Sequence, residues 1–186
     1  MKEYIKEILE KRKQLSTKDY KEFSNKICQS IITLEEYRAA KNILIFYPYL
    51  NEVNVLPIAK AALKDKKNVF FPRVSDSTSM DFIKVMTLDD FTEGYKKIKE
   101  PIGTEVFNKN NISEPSLMIL PGSTFDFYGN RTGYGKGYYD RYLEQCYDKI
   151  TKIGVCFSLQ IIKQIPDVKV TDIPMDYVIC EKELGV

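Results

Sequence analysis

The 186-residue chain contains no histidine. This absence excludes Ser-His-Asp and Cys-His nucleophile systems, H-E-x-x-H zinc sites and any acid-base step that uses an imidazole. Chemistry in this chain must therefore use carboxylates, lysine, arginine, tyrosine, backbone amides or a hard metal ion.

Other features are also scarce. The cysteines are far apart and form no C-x-x-C pair, which predicts reduced, buried thiols and neither a disulfide nor a zinc framework: Cys28, Cys146, Cys156 and Cys180. No apolar run approaches the about 18 residues of a membrane span, and the charged N-terminus lacks a signal-peptide core. A formal charge of +2 gives no general reason to expect a nucleic-acid or membrane partner. We expect a cytoplasmic monomer without such partners.

Apolar periodicity predicts an α/β protein. Amphipathic helices are expected over residues 2–15 and after Ser16, whose side chain is placed to cap the second helix together with Asp19. Apolar runs predict strands at 42–47, 68–74, 80–85, 116–121, 152–157 and 176–181, and helices at 55–67, at 137–150 and, short, near 159–164. This alternation predicts one domain over residues 1–186, with a mainly parallel sheet covered by helices on both faces, a Rossmann-like three-layer sandwich.

The stretch RTGYGKGYYDRY, residues 131–142, has the composition of an anion site. Its spacing fits neither a P-loop, since Gly137 follows Lys136, nor a G-x-G-x-x-G fingerprint, since Tyr138 occupies the third glycine position. Alternate glycines nevertheless let backbone amides approach a ligand, and the stretch follows a strand and opens a predicted helix. We expect these amides, Lys136 and Arg131 to hold a polyphosphate.

Three side chains in and after this loop have alternative interpretations. Asp140 is placed to hold the Mg²⁺ of a polyphosphate, or is a helix-start charge or the i,i+4 partner of Lys136. Tyr139 shares a helical face with Leu143 and is expected in the core, whereas Tyr138 is expected at the loop mouth, where it could stack on a flat ring.

The longer stretch LPGSTFDFYGNRTGYGKGYYDRYL, residues 120–143, resembles the signature of the 5-formyltetrahydrofolate cyclo-ligase family. That signature runs P-G-x-x-F-D-x-x-G-x-R-x-G-x-G-x-G-Y-Y-D-R-x-L. The resemblance extends to F-Y-P-Y-x-N-E-V at 46–53, to residues 157–160, and to 165–166 and 171–176. It implies that ATP and Mg²⁺ drive closure of 5-formyltetrahydrofolate to 5,10-methenyltetrahydrofolate through a phosphorylated formyl group, with release of ADP and phosphate.

The resemblance also implies residue roles. Lys136 and Arg131 would be catalytic, with Lys136 closest to the transferred phosphoryl group, and Asp140 and Asp172 would hold Mg²⁺. The ATP-binding residues would be Lys2, Lys6, Arg131, Gly133, Tyr134, Gly135, Lys136, Gly137, Tyr138 and Tyr139. The folate-binding residues would be Tyr47, Glu52, Tyr134, Lys136 and Tyr138, with Glu52 on the pterin N–H groups.

Some of these assignments have alternatives. Lys2 and Lys6 keep the spacing of a lysine and an arginine that the family usually has, but alignment on Ile8-Leu9 puts Ile5 in the arginine position. Without the resemblance, Glu52 would be interpreted as a solvated loop carboxylate. Asp172 also suits a turn before Ile173-Pro174.

Two other functions remain open from the residues alone. A sugar-phosphate isomerase or transferase of similar architecture would use such a loop without ATP. The arginines and tyrosines of residues 131–142 could instead form a platform for single-stranded RNA, which would give steep salt dependence and no role for Asp140, Asp172 or Glu52.

Overall fold

The computed structural model describes residues 2–182, apart from the side chain of Tyr147. The helices in this range are α1 (Glu3–Lys13), α2 (Thr17–Ile32), α3 (Glu35–Ala39), α4 (Leu56–Lys64) and α5 (Tyr138–Leu143), with 3₁₀ turns at Tyr95–Lys97, Tyr147–Lys149 and Ser158–Gln160. The strands are β1 (Asn42–Ile45), β2 (Asn68–Val74), β3 (Met80–Val85), β4 (Phe91–Glu93), β5 (Lys99–Pro101), β6 (Ser116–Leu120), β7 (Thr124–Asp126), β8 (Arg131–Thr132), β9 (Thr151–Val155), β10 (Ile161–Ile162) and β11 (Tyr177–Ile179).

The main sheet has six strands in the order β11-β9-β6-β1-β2-β3. All neighbouring pairs are parallel except β2 and β3, which are antiparallel with Phe71 opposite Ile83. The central strands β1 and β6 are buried along nearly their whole length. Continuous apolar strands of this kind are typical of a sheet covered on both faces, so the predicted α/β fold is confirmed.

Each face of the sheet contributes to its own apolar cluster. On one face Ile43 and Ile45 pack with Ile27 and Ile31 of α2 and with residues of α4. On the other face the intervening Leu44 packs with Leu143 of α5 and its neighbours. Because strand side chains alternate in direction, these two sets define the three predicted layers.

Several predicted details are confirmed. Ser16 caps α2 by accepting a hydrogen bond from the Asp19 amide at 3.0 Å, and Ile5, Ile8 and Leu9 form the buried face of α1. The four cysteines are free and buried, as expected of small apolar side chains. Tyr142 of α5 is only 3% exposed and packs against Phe82.

Other details need correction. The predicted helix over 137–150 ends after Leu143, because Cys146 adopts φ −153°, a value that no α-helix continues. The short helix expected near 159–164 is a 3₁₀ turn followed by β10. Five short elements were not predicted from the sequence: the strands β4, β5, β7 and β8 and the helix α3. Segments of two to five residues are too short to show a hydrophobic periodicity.

The topology creates a crevice between β1 and β6. After β1 the chain continues through α4 to β2 on one side, whereas the chain after β6 leads through α5 to β9 on the other side. Ligand sites in such sheets lie at this reversal, beyond the carboxyl ends of the strands. The loops after β1 and β6 are therefore the segments that build a site.

No helix within residues 2–182 is long and apolar enough to cross a lipid bilayer. Residue 1 and residues 183–186 of the predicted single domain lie outside the described residues. The single-domain boundaries, the monomeric state and the cytoplasmic location remain predictions.

Candidate active site at the carboxyl edge of the sheet

A cleft of about 860 Å³ opens where the loops after β1 and β6 meet. The loop after β1 contributes Tyr47 and Glu52, and the segment after β6 contributes the glycine loop, defined here as residues 131–140. The N-terminus of α1, the β4–β5 hairpin and residues 165–172 close the remaining sides. Elements distant in sequence thus converge at the predicted edge.

Arg131 is the most enclosed cation of the glycine loop. Its side chain is 5% exposed, its Nη2 donates to Oδ1 of Asp140 at 2.7 Å, and its guanidinium lies 5.5 Å from the centre of the Tyr139 ring. Its Nε is buried and has no hydrogen-bond partner among the described residues. A buried donor without a partner costs about 1–3 kcal/mol, so this nitrogen is suited to an incoming anion.

The partner of Asp140 is therefore Arg131, nine positions earlier in the chain. The described residues show no ion pair between Asp140 and Lys136, so that alternative is not observed. That Asp140 holds a metal stays a prediction. A carboxylate that pairs with an arginine in the absence of ligand can bind a metal ion when phosphates bring one into the cleft.

The backbone of the loop uses glycine where it must. Gly135 and Gly137 have φ of +83° and +64°, a region that other residues adopt only with strain. Arg141 connects the loop to the segment before β3, because it donates hydrogen bonds to the carbonyl oxygens of Lys136 at 2.8 Å and Thr78 at 2.7 Å. Because α5 has only six residues, its dipole contributes less to an anion site than the expected longer helix would.

Lys136 lies at the exposed tip of this loop and lines the cleft. Its backbone carbonyl accepts a hydrogen bond from Arg141, and Gly135 and Gly137 flank it in the sequence. The glycines Gly133, Gly135 and Gly137 also line the cleft, as do Tyr134, Tyr138 and Tyr139. All eight residues assigned to phosphate binding in this loop are therefore brought together.

Glu52 is a buried carboxyl, not a solvated one, with 6% of its surface exposed. It belongs to a tight turn in which its Oε2 accepts a hydrogen bond from the Tyr49 amide at 3.0 Å, and its own amide donates to the Tyr49 carbonyl at 3.0 Å. Burial raises the pKa of Glu52 from 4.5 to about 7, against an opposing effect of the Arg12 charge. This carboxyl is thus poised to change its charge near neutral pH.

Aromatic side chains form the walls. Tyr47 packs against Phe71 and Phe91 with ring centres 6.3 and 5.2 Å apart. Tyr138 meets the edge of the Tyr95 ring at 6.4 Å and is covered by the Arg141 guanidinium at 5.4 Å. Both tyrosines line the cleft, which agrees with the surfaces expected for a flat ligand.

The two N-terminal lysines, Lys2 and Lys6, lie in different places relative to the cleft. Lys2 lines the cleft and donates from Nζ to Oδ2 of Asp167 at 3.0 Å and to the Pro166 carbonyl at 3.1 Å. Lys6 lies outside the cleft lining, in a groove along α1, and pairs with Glu3 at 3.0 Å. Of the two lysines, only Lys2 is positioned to reach a ligand in this cleft without rearrangement.

Asp172 lines the cleft together with Asp140. Its Oδ2 accepts a hydrogen bond from the Lys169 amide at 2.8 Å, so it also forms the turn that was its alternative interpretation. Among residues 2–182 no cluster of three or more metal-ligating side chains occurs. Mg²⁺ usually takes one or two protein carboxylates and completes its shell with water and phosphate oxygens, so two carboxylates lining one cleft are enough for an ion carried by a polyphosphate.

Two contributions to this region were missed at the level of sequence. Arg12 is 1% exposed and contacts both the Glu52 turn and the glycine loop. Its spacing of three and four residues from Leu9 and Ile8 places it on the apolar face of α1, which was the available signal. Tyr95 and Lys96, at the tip of the β4–β5 hairpin, had no comparable signal.

Comparison with known proteins gives a consistent result. The family model described as the 5-formyltetrahydrofolate cyclo-ligase family matches residues 2–181. A probable 5-formyltetrahydrofolate cyclo-ligase of Schizosaccharomyces pombe is 30% identical, over 81% of this chain and 76% of the relative. The 5-formyltetrahydrofolate cyclo-ligase of Mus musculus is 31% identical, over 90% of this chain and 89% of the relative.

Two solved structures of 5,10-methenyltetrahydrofolate synthetases have folds similar to that of this chain. The 5,10-methenyltetrahydrofolate synthetase of Aquifex aeolicus superposes with a TM-score of 0.84 at 31% identity, covering 97% of this chain and 89% of the other. The 5,10-methenyltetrahydrofolate synthetase of Mycoplasma pneumoniae gives a TM-score of 0.76 at 27% identity, covering 96% of this chain and 97% of the other.

Proposed function

The chain belongs to the 5-formyltetrahydrofolate cyclo-ligase family, and on that premise we propose that it converts 5-formyltetrahydrofolate to 5,10-methenyltetrahydrofolate with ATP and Mg²⁺ through a phosphorylated formyl group. The products besides the folate are ADP and phosphate. Residues of the cleft support the use of both the nucleotide and the metal.

The formyl group needs activation before the ring can close. Its carbon is part of an amide and is weakly electrophilic, and closure by N10 would have to expel the oxygen as hydroxide. Transfer of the γ-phosphoryl group of ATP to the formyl oxygen breaks the β–γ phosphate bond and releases ADP. N10 then bonds to the formyl carbon, loses its proton, and the oxygen leaves as phosphate.

The observation that carries the proposal is the meeting of two unlike half-sites in one cleft. The glycine loop presents Lys136, an enclosed Arg131 and a glycine-rich backbone, which suit phosphate groups. The opposite loop presents the buried carboxyl of Glu52 beside Tyr47, which suits the N–H groups and flat face of a reduced pterin. A reaction that joins a phosphate donor to a folate needs both.

We assign the charge neutralisation to Lys136 and Arg131. Phosphoryl transfer depends on positioning and on stabilising the charge of the transferred group, so it needs no histidine. Lys136, at the loop tip, would contact the moving phosphoryl group. Arg131 would use its unpartnered Nε toward the phosphates, with Tyr139 and Asp140 fixing its plane.

We assign substrate orientation to Glu52 and the tyrosines. An ionised Glu52 accepts hydrogen bonds from the pterin, and the carboxyl is held in place by the Tyr49 amide. Tyr47 and Tyr138 would cover the ring, and Tyr134 would border both ligands. Such enclosure brings the formyl oxygen to the phosphate donor in a fixed orientation.

Asp140 and Asp172 would hold Mg²⁺. When bound, this ion neutralises charge on the ATP phosphates. Asp140 would then contact both the ion and Arg131, whose Nη2 already donates to its Oδ1. This carboxylate would thereby connect the metal with the arginine assigned to the phosphates.

The test is formation of the methenyl chromophore, followed by absorbance with the folate alone and with ATP, Mg²⁺ or both. We expect absorbance to rise only when all three are present, with one ADP released per product. A rise without ATP would refute the phosphorylated group. Sugar-phosphate turnover without ATP would instead favour the isomerase interpretation of the loop.

A further inference from the structure

Arg12 is a buried arginine that the proposed reaction does not yet use. It lies near the C-terminal end of α1, on the face formed by Ile5, Ile8 and Leu9, and is 1% exposed. Arginine is almost never fully buried unless it is paired. The partners of Arg12 therefore indicate its role.

Those partners come from three segments around the cleft. The Nη2 of Arg12 donates to the Leu50 carbonyl at 2.9 Å and to the hydroxyl of Tyr134 at 2.7 Å, and its Nη1 reaches the Gly122 carbonyl at 3.5 Å. Leu50 belongs to the Glu52 turn, and Tyr134 belongs to the glycine loop. One guanidinium thus joins the two half-sites.

The turn that Arg12 holds is strained. Residues 49–52 close through the hydrogen bond from the Glu52 amide to the Tyr49 carbonyl, with φ of 47° at Leu50 and 56° at Asn51. Two consecutive left-handed residues that are not glycine persist only when surrounding contacts determine them. The bond from Arg12 to the Leu50 carbonyl is one such contact, and it acts at the centre of the turn.

Arg12 also supplies the positive charge that acts on the Glu52 carboxyl. The titratable groups around this carboxyl are Arg12 from α1, Tyr20 from α2, Tyr134 from the glycine loop and Tyr139 from α5. Tyr20 donates from its hydroxyl to the Glu52 carbonyl oxygen at 3.0 Å and carries no positive charge. Burial raises the pKa of Glu52, and among these groups only Arg12 acts in the opposite direction.

We propose that Arg12 is a positioning residue that fixes the Glu52 turn against Tyr134 of the glycine loop and favours the charged form of the Glu52 carboxyl. The inference rests on the proposed function, since it assigns Glu52 to the pterin and the glycine loop to ATP. It adds a residue that touches neither ligand and sets the relation between their sites.

The first experiment measures binding of 5-formyltetrahydrofolate without ATP, by calorimetry between pH 5.5 and 9. In the unaltered protein, affinity should rise with a midpoint near pH 7, as Glu52 ionises. Arg12→Gln should move this midpoint upward by about one unit, because the carboxyl loses its opposing charge. Arg12→Lys should leave the midpoint within a few tenths of a unit, since the charge remains.

Two control variants define the background. Lys13→Gln removes the neighbouring cation of α1, which is exposed and paired with Glu10, and should leave the midpoint unchanged. Glu52→Gln should abolish the pH dependence. A midpoint that is the same in Arg12→Gln and in the unaltered protein would overturn the charge assignment, whatever the stability of the variant.

The second experiment is a double-variant cycle between Arg12→Lys and Tyr134→Phe, measured as kcat/KM. Both single changes break the same bridge, so their losses should overlap. If Tyr134→Phe costs about tenfold in the unaltered protein, it should cost about twofold or less beside Arg12→Lys. Losses that multiply would show independent residues and overturn the positioning role.

These results separate the inference from the proposed function. An unaltered protein that forms the methenyl product with ATP but binds folate without pH dependence near 7 would refute the inference alone. An unaltered protein that neither binds nor converts 5-formyltetrahydrofolate would refute the proposed function, and the inference would fall with it.

Discussion

The sheet has an open cleft at each end, and the two clefts differ in chemistry although not in size. The cleft at the amino edge has about 840 Å³, against about 860 Å³ at the carboxyl edge. At the amino edge two pairs of polar side chains bond to each other: Lys152 with Asp176 at 2.8 Å, and the Tyr177 hydroxyl with Glu36 at 2.6 Å. At the carboxyl edge Arg131 has an unpartnered Nε, and Glu52 has a raised pKa.

Backbone strain follows the same division. Among residues 2–182, six non-glycine residues have positive φ: Leu50, Asn51, Lys66, Lys96, Lys97 and Asp167. Leu50, Lys96 and Asp167 line the carboxyl-edge cleft, with Asn51 and Lys97 adjoining two of them, and none lines the amino-edge cleft. Each such residue costs of order 1–3 kcal/mol. Incomplete hydrogen bonding and backbone strain together distinguish the proposed ligand site from the cleft at the amino edge, whereas the two volumes do not.

The largest effect should come from Lys136. We expect Lys136→Ala to lower turnover by roughly 10²–10³-fold, or about 3–4 kcal/mol, because it removes the charge that contacts the transferred phosphoryl group in the proposed reaction. Folate binding should stay within a few fold. Steady-state rates at saturating ATP and calorimetry with the folate alone measure the two quantities.

The matched control is Lys149→Ala, an exposed lysine in the amino-edge cleft. Its turnover should equal that of the unaltered protein. Near-normal turnover in Lys136→Ala, or an equal loss in both variants, would contradict the assignment.

The next effect concerns the metal. Asp140→Asn and Asp172→Asn should each raise the Mg²⁺ concentration needed for half-maximal turnover, roughly 10–100-fold by analogy with weakened metal sites. The double variant should add little, since the proposed site has both carboxylates holding one ion. Titration of Mg²⁺ at fixed ATP measures this requirement.

Asp148→Asn, at the exposed amino edge, is the matched control and should leave the Mg²⁺ requirement unchanged. Independent losses that added Mg²⁺ does not relieve would make the aspartates structural. Asp140 would then act only through Arg131, and Asp172 only through its turn at Lys169.

Sequence reasoning captured what depends on periodicity and on motif. The strands 68–74 and 80–85 were predicted to the residue, and the glycine loop was placed at the correct edge. The length of α5 was wrong, because the apolar spacing of Leu143, Cys146 and Ile150 persists after the helix has ended. Burial of those residues is set by the sheet beneath them and needs no helix.

The site shows a different limit. A motif can indicate that Glu52 matters, but its burial and its charge partner depend on Arg12, forty residues earlier, and on how α1 crosses the sheet edge. The pair between Arg131 and Asp140 likewise depends on how the loop turns at Gly135 and Gly137. Contacts fixed by tertiary geometry have no local pattern from which they could be predicted.

Glu52 should show a smaller effect with two signatures. Glu52→Gln should raise the KM for the folate and leave the KM for ATP nearly unchanged. It should also stabilise the protein at alkaline pH by roughly 2–3 kcal/mol, because the folded pKa of about 7 lies above the ordinary value of 4.5. Between these values the folded state binds more protons than the unfolded state, so stability falls as pH rises toward 7.

Denaturant unfolding of both proteins at pH 4.5 and pH 8 tests this. The difference should be close to zero at the lower pH and largest at the higher one. Gln retains an oxygen that can accept from the Tyr49 amide, so the turn should persist. Equal weakening of folate and ATP would indicate a structural role for Glu52 instead.

The smallest effect should have the opposite sign and lies at the amino edge. The hydrogen bond from Tyr177 lowers the pKa of Glu36, an exposed carboxyl at the start of α3. A lowered folded pKa contributes stability that is present above the unfolded value and is lost as pH falls through the folded value. Glu36→Gln should thus slightly reduce stability at pH 8 and have no effect in strong acid, with turnover unchanged.

Unfolding curves of Glu36→Gln and Glu52→Gln, measured together across pH, should diverge as pH rises, with Glu36→Gln less stable and Glu52→Gln more stable than the unaltered protein. Curves that move in the same direction would mean that the two edges do not differ in how their carboxyls are satisfied, and the contrast between a paired surface and an incomplete site would be lost.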